Sequence, residues 1–169
     1  MPQVRLIDTL FQMQGISQIA AKLAPLFPST QVAFFIENGH LMEVFDLGLP
    51  DKKIVALFFG PREFVVKCHP FSQLVALDNV QGNSFTHGQV ITLLRKFPET
   101  THHYLGIRRT YHEKVAARQA SLTTMSERAR FEDMAKTQPW ILKLADKNDI
   151  AAYLNISTSL LYELINEAP

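Results

Sequence analysis

The sequence predicts an α+β chain in which a region of short antiparallel strands is followed by a run of helices. Between Gln31 and Leu77, short apolar runs recur between turn-forming residues, the pattern of a sandwich, roll or barrel. Beyond Phe85 the apolar period lengthens from two to about 3.6 residues. At the C-terminal end, residues 147–166 place small and apolar side chains at the spacing of a tightly crossed helix pair.

Taken in order, residues 3–24 are expected to be helical, with Val4, Ile7, Leu10 and Phe11 on one face. Ile16, Ile19, Ala20 and Leu23 repeat the spacing until Pro25 and Pro28 end it. Strands are expected at Gln31 to Glu37, His40 to Leu47, Lys53 to Phe59, Phe64 to Cys68 and Gln73 to Leu77. Asn38-Gly39 between the first two reads as a hairpin turn, because both residues tolerate positive φ. Val90, Ile91, Leu93, Leu94 and Phe97 make a short helix closed by Pro98. A longer helix follows from about 102 to 120, with Thr100 or Thr101 as its cap. Its stripe of Tyr104, Ile107, Tyr111 and Val115 suits either core or a seam for a second copy. Ser126 and Glu127 start another helix that runs to Thr137.

Composition narrows the class of protein. The chain is 47% hydrophobic and 20% charged, ordinary for a soluble globular protein, and its longest apolar runs are far too short to span a bilayer. No export signal is visible, and a single cysteine, Cys68, excludes an internal disulfide. A cytoplasmic location without membrane partners is therefore expected. The net charge of +1 is unevenly spread: residues 101–130 carry six basic side chains against Glu113 and Glu127. From residue 143 onward, Lys143 and Lys147 face Asp146, Asp149, Glu163 and Glu167. The basic middle would attract a polyanion and the acidic end would repel one.

The segment Lys147 to Asn166 meets each packing requirement of a helix-turn-helix. Counting Lys147 as first, the fifth position, where the helices touch, is the small Ala151, and the ninth, which favours a left-handed backbone, is Asn155. Ile150, Leu154, Ile156, Leu161 and Leu164 fill the apolar positions, and Ser157 or Thr158 supplies the second helix's cap.

Ile150-Ala151-Ala152-Tyr153-Leu154-Asn155-Ile156-Ser157 resembles the helix-turn-helix of the Crp/Fnr-like bacterial transcription regulators. Met125-Ser126-Glu127-Arg128-Ala129-Arg130-Phe131 and Gln138-Pro139-Trp140-Ile141-Leu142 are similar to two further motifs of that family. Ala33-Phe34-Phe35-Ile36-Glu37-Asn38-Gly39-His40-Leu41 is similar to the hairpin of its cyclic-nucleotide-binding-type β-roll. The resemblance covers roughly residues 30–166 in unbroken order. It implies a β-roll sensor (jelly roll) over residues 1–100, a dimerisation helix over 101–122 and a helix-turn-helix domain over 123–169. It also places a homodimer seam at Tyr104, Ile107, Tyr111 and Val115, and DNA contacts at Ser157, Thr158, Ser159, Tyr162 and Asn166, with Lys147 near a phosphate.

Two departures qualify this. The family's nucleotide signature pairs Gly-Glu with a later Arg-x-Ala, for the ribose and the cyclic phosphate respectively. Here Val66-Lys67 stands at the Gly-Glu position and no arginine occurs between Arg62 and Arg95, so the pocket is degenerate and cyclic AMP is not expected. In the second helix, Glu163 and Ile165 stand where the family carries arginines, which costs the fork onto guanine. Cys68-His69, His87, His102, His103 and His112 fit no compact metal-ligand spacing, and no phosphate loop or nucleophile elbow is present. No metal, cofactor or catalytic residue is expected. The reading is a dimeric Crp/Fnr-like transcription regulator that senses an unknown small effector or none. The alternative is a degenerate paralogue that keeps the dimer and sensor and acts through protein partners or mixed dimers without binding DNA.

Overall fold

The computed structural model describes residues 16–22, 25–26, 31–46, 53–67, 69 and 71–167. Its strands are β1 (Ile16–Ala20), β2 (Pro25–Leu26), β3 (Gln31–Asn38), β4 (Leu41–Asp46), β5 (Lys53–Phe59), β6 (Phe64–Val66), β7 (Ser72–Ala76) and β8 (Val80–Thr86). They form two four-stranded sheets, ordered β1-β8-β3-β6 and β2-β7-β4-β5, with antiparallel pairing throughout. The pairs are nested: β4 with β5, β3 with β6, β2 with β7 and β1 with β8. This is a long antiparallel ribbon rolled over on itself, a jelly roll.

Two expectations change here. Asn38-Gly39 does not close a hairpin; it carries the chain from β3 in one sheet to β4 in the other. The turn chemistry itself is present. Gly39 has φ +90°, and a Cβ there would lie 2.7 Å from the Asn79 carbonyl oxygen, which no side chain tolerates. Local turn preference specifies a reversal and says nothing of the strand's partner. Residues 16–20, expected as helix, are an edge strand against β8, Ile16 opposite Ser84 and Ala20 opposite Val80. Residues 3–15 of that expected helix lie outside the described residues, as do Leu23, Leu47 and Cys68.

The sheet of β4 and β5 is buried on both faces. Leu41, Leu57 and Phe59 point into the roll with Phe34, Ile36, Val65 and Leu74. Met42, Val44, Val55 and Phe58 point the other way, into a core shared with the C-terminal helices. Double burial explains why β5 reads as an unbroken apolar run. Each such Leu or Phe, buried to within a few per cent, stabilises the fold by about 1.5–3 kcal/mol.

The helices are α1 (His87–Lys96), α2 (Thr100–Thr124), α3 (Glu127–Thr137), α4 (Ile141–Leu144), α5 (Lys147–Leu154) and α6 (Thr158–Glu167). Thr86 and Gln89 close a capping box on α1, and the Ser126 hydroxyl accepts from the Ala129 amide to start α3. α2 runs about 37 Å at 1.5 Å per residue. The expected threonine cap does not form: Thr100 is already helical, and its hydroxyl donates to the Phe97 carbonyl at 2.7 Å. α3 to α6 pack on the outer face of β4 and β5 through Phe131, Ile141, Ile150 and Leu161. Rings seal that junction, with Phe58 to Tyr153 at 4.9 Å and His40 to Trp140 at 4.3 Å between centroids. No described helix is long and apolar enough to cross a membrane.

Candidate nucleic-acid interface and sensor site

The α5-turn-α6 unit is built as its spacing predicts. Asp146 caps α5, accepting from the Asn148 amide at 2.8 Å. Asn155 ends α5 in the left-handed region at φ 52°, ψ 52°, a conformation that asparagine adopts at little cost. Ile150, Ala151, Leu154, Leu161 and Leu164 are each 3% exposed or less, and Ile156 packs half-buried against the same core. Ser157, rather than Thr158, caps α6, its hydroxyl accepting from the Leu160 amide at 3.1 Å. Ser159, Tyr162, Glu163 and Asn166 face solvent along one side of α6 and Thr158 is half-buried. Tyr162 is 54% exposed. Lys147 turns inward, its ammonium donating to the Leu142 carbonyl at 2.9 Å, so it ties α5 to the end of α4 instead of standing free for a phosphate.

The basic middle of the chain is largely spent on internal contacts. Arg130, 8% exposed, donates from Nε to the Leu154 carbonyl at 2.9 Å, and its terminal nitrogens reach the Met125 and Asn155 carbonyls at 2.8 and 3.4 Å. Its guanidinium thus holds the turn between α5 and α6. Arg118 donates to the Tyr153 carbonyl at 3.1 Å and lies over the Tyr153 ring at 5.1 Å. Burial pushes its guanidinium below the usual range. Lys114 pairs with Glu63, Arg109 with Glu113 and Arg128 with Glu167. Of the six basic residues in 101–130, Arg108 alone lacks such a partner among the described residues. Sequence reasoning missed the roles of Arg118 and Arg130. Arg130 did carry a signal: it lies one residue before Phe131 and four before Met134, on the apolar face of α3.

The Tyr104, Ile107, Tyr111 and Val115 stripe turns onto the chain's own β-roll. Tyr111 is 6% exposed, Val115 packs beside it on the roll interior, and Tyr104 packs on Phe35 and Phe85 with α1. The strip left outward on α2 is Leu105, Arg108, His112, Ala116 and Gln119. Val66 is buried on β6 and lines an apolar gap of about 30 Å3 with Ala33, Phe85, Val90 and Tyr104. Lys67 is half-buried, and its amide donates to the Val32 carbonyl at 2.9 Å. Among the described residues, no three His, Cys, Asp or Glu side chains gather as metal ligands would.

No family model matches the chain, and no curated protein matches it. Solved structures do. FixK2 from Bradyrhizobium japonicum superposes with a TM-score of 0.75 at 10% identity, over 91% of this chain and 84% of that one. A transcriptional regulator assigned to the crp/fnr family, from Eubacterium rectale ATCC 33656, gives 0.71 at 10% identity, over 94% and 80%. A CooA mutant from Carboxydothermus hydrogenoformans gives 0.70 at 12%, over 95% and 78%. The chain shares the fold of these structures.

The resemblance expects the nucleotide signature at Val66-Lys67. The gap beside Val66, about 30 Å3, has room for little more than a water molecule or two, and by that expected alignment Lys67 would put a cation where a ribose hydroxyl needs an acceptor. Calorimetry with cyclic AMP or cyclic GMP at about 100 μM should show no binding, an affinity weaker than about −5.5 kcal/mol. Micromolar binding of either would mean that Val66-Lys67 is not the counterpart of Gly-Glu.

Among the described residues the roll interior holds one buried carboxylate, Glu43, 1% exposed. The Tyr111 hydroxyl donates to it at 3.0 Å, tying α2 to β4. Burial pushes the Glu43 carboxyl above its ordinary 4.5, while hydrogen bonds from Tyr111 and Ser72 and the nearby His69 pull it partly back. A carboxyl raised in the folded state gives stability that is full below the unfolded value and lost as pH rises through the folded one. Glu43→Gln keeps an acceptor for Tyr111 and removes the titration. Urea melts should show the variant more stable than wild type at pH 7, with the gap shrinking as pH falls toward 4.5. A gap independent of pH would show that burial does not raise the Glu43 carboxyl above its unfolded value.

Proposed function

We propose that the chain is a divergent Crp/Fnr-type transcription regulator whose β-roll senses something other than a cyclic nucleotide. One observation carries the reading. The helix-turn-helix is complete in its packing, yet it leaves Ser159, Tyr162, Glu163 and Asn166 outward on α6, a polar face with no structural work to do. That is the disposition of a helix meant to meet base edges and phosphates.

The protein acts as a homodimer through α2 in this reading. With the Tyr104, Ile107, Tyr111 and Val115 stripe committed largely to its own roll, the seam falls on Leu105, His112, Ala116 and Gln119, whose spacing follows a heptad. Leu105 is 54% exposed. The test is an unbiased DNA selection with the purified protein, run beside light scattering at micromolar concentration. A two-fold symmetric site and a dimer that Leu105→Glu with Ala116→Glu converts to monomer support the reading. A wild-type monomer removes the seam.

A second reading has its own support. Five of the six cations of residues 101–130, and Lys147, are held by contacts within the chain, and the outward face of α6 carries Glu163 with Glu167 at its end. A paralogue that keeps the scaffold and no longer binds DNA predicts that the same selection returns no sequence.

A further inference from the structure

A cavity of about 510 Å3 opens between the β5–β6 turn and the first half of α2, a volume typical of small-molecule sites. Phe64 and Ile107 give it an apolar wall, with the nearly fully buried Phe59 and Tyr111 behind it and the Lys114 ammonium 5.1 Å over the Phe59 ring. Its rim carries Arg62, His102, His103 and Lys114 against Glu63 alone. Glu63 is already tied to Lys114, which leaves the Arg62 guanidinium with no ion-pair partner among the described residues.

Two backbone features add to this. Arg62 holds φ 69°, a left-handed conformation that glycine would adopt freely and an arginine adopts under strain. Gly106 interrupts a 25-residue helix where alanine would be more stable, yet a Cβ at this position meets nothing within 4 Å. No contact within the chain requires the arginine in that turn or the glycine on that helix face. Both border the cavity.

We propose that this cavity binds a small organic anion with a flat apolar body. The acidic group sits at Arg62 and the His102/His103 edge, and the body lies against Phe64 and Ile107. A planar guanidinium suits a carboxylate or a similar oxyanion, and aromatic walls suit a ring. The place of the nucleotide signature is separate, since neither Val66 nor Lys67 lines this cavity. The proposal gives the sensor reading a ligand class while resting on the cavity alone. It is tested without DNA, so its failure leaves the outcome of the DNA selection untouched.

The experiment titrates the full-length chain at pH 7 with 2-naphthoate and with the neutral 2-naphthylmethanol of similar shape. Wild type should bind the carboxylate in the micromolar range, about tenfold or more tighter than the alcohol. Arg62→Gly relieves the left-handed turn, so its Tm should match or exceed that of wild type. Its affinity for 2-naphthoate should nonetheless fall about tenfold, with that for the alcohol little changed. Gly106→Leu should project into the cavity and weaken binding of both compounds at least tenfold without lowering Tm. Three results overturn the proposal: no binding of 2-naphthoate to wild type at about 1 mM, equal affinity in wild type and Arg62→Gly, or binding unaffected by Gly106→Leu.

Discussion

Replacing Arg130 with methionine should remove a large part of the chain's stability and undo the helix-turn-helix first. The side chain is 8% exposed and donates to the carbonyls of Leu154 and Met125 at 2.9 and 2.8 Å, with a longer contact to Asn155 at 3.4 Å. Those carbonyls belong to the last turns of α5 and α2 and to the left-handed residue between α5 and α6, where no intrahelical donor reaches them. Hydrogen bonds from a charged donor each contribute about 1.5–3 kcal/mol, so losing the two short ones should cost about 3–6 kcal/mol. A domain of this size is stable by only about 5–15 kcal/mol. Arg130→Lys should recover less than half, because an ammonium cannot fork across three acceptors. Trp140 is the single tryptophan and packs against the same core, so its fluorescence in a urea melt reports the loss directly. Arg108→Ala, on the outward strip of α2, is the control and should leave the midpoint unchanged. A loss below about 1 kcal/mol in Arg130→Met would show that the turn holds without the guanidinium.

Arg130 also shows where the sequence stops being legible. The apolar and small positions of α5 and α6 were readable because helix packing constrains residue type at fixed spacing. Ile150, Ala151, Leu154, Asn155, Leu161 and Leu164 all sit where the spacing puts them. An arginine has no such constraint. On sequence grounds Arg118 and Arg130 join a basic stretch, and only the fold brings Tyr153 and Leu154 carbonyls, 35 and 24 residues away, to their side chains. The same limit applies to α2. Its period correctly picks out Tyr104, Ile107, Tyr111 and Val115 as the apolar face, but an apolar face does not state what covers it.

The strands divide in the same way. β5 was legible to the residue because both its faces are buried. β8 was not, because Val80-Gln81-Gly82-Asn83-Ser84 contains hardly an apolar residue. Gly82 is there because a Cβ would stand 2.1 Å from the Phe35 carbonyl oxygen, and Ser84 is fully buried between neighbouring strands. Close approach of backbones leaves no periodic mark. The cavity between the β5–β6 turn and α2 was invisible for a related reason: Arg62, Gly106 and Lys114 come from segments that nothing in the sequence joins.

Giving α6 positive charge should decide between a regulator that reads DNA and a scaffold that has lost the ability. Glu163 and Asn166 are exposed on the outward face, whereas Ile165 packs half-buried on the core. Glu163→Arg with Asn166→Arg therefore changes the charge by +3 per chain without touching a packing position. If that face meets a groove, each new phosphate contact should steepen the log–log salt dependence of non-specific binding by about 0.9. Two contacts per chain then raise affinity roughly tenfold or more at low salt. The control places the same added charge elsewhere, as Glu132→Arg with Gln81→Arg, both exposed, and should gain far less with a shallower slope. Under the regulator reading, wild type already selects a two-fold site, and the variant trades that selectivity for general affinity. Under the degenerate reading, wild type selects nothing and the variant alone acquires DNA binding. Equal gains in variant and control would mean that α6 has no privileged approach to the duplex. The outward polar face of the helix-turn-helix would then have to be explained by a protein partner, one whose complement to Glu163 and Glu167 is basic.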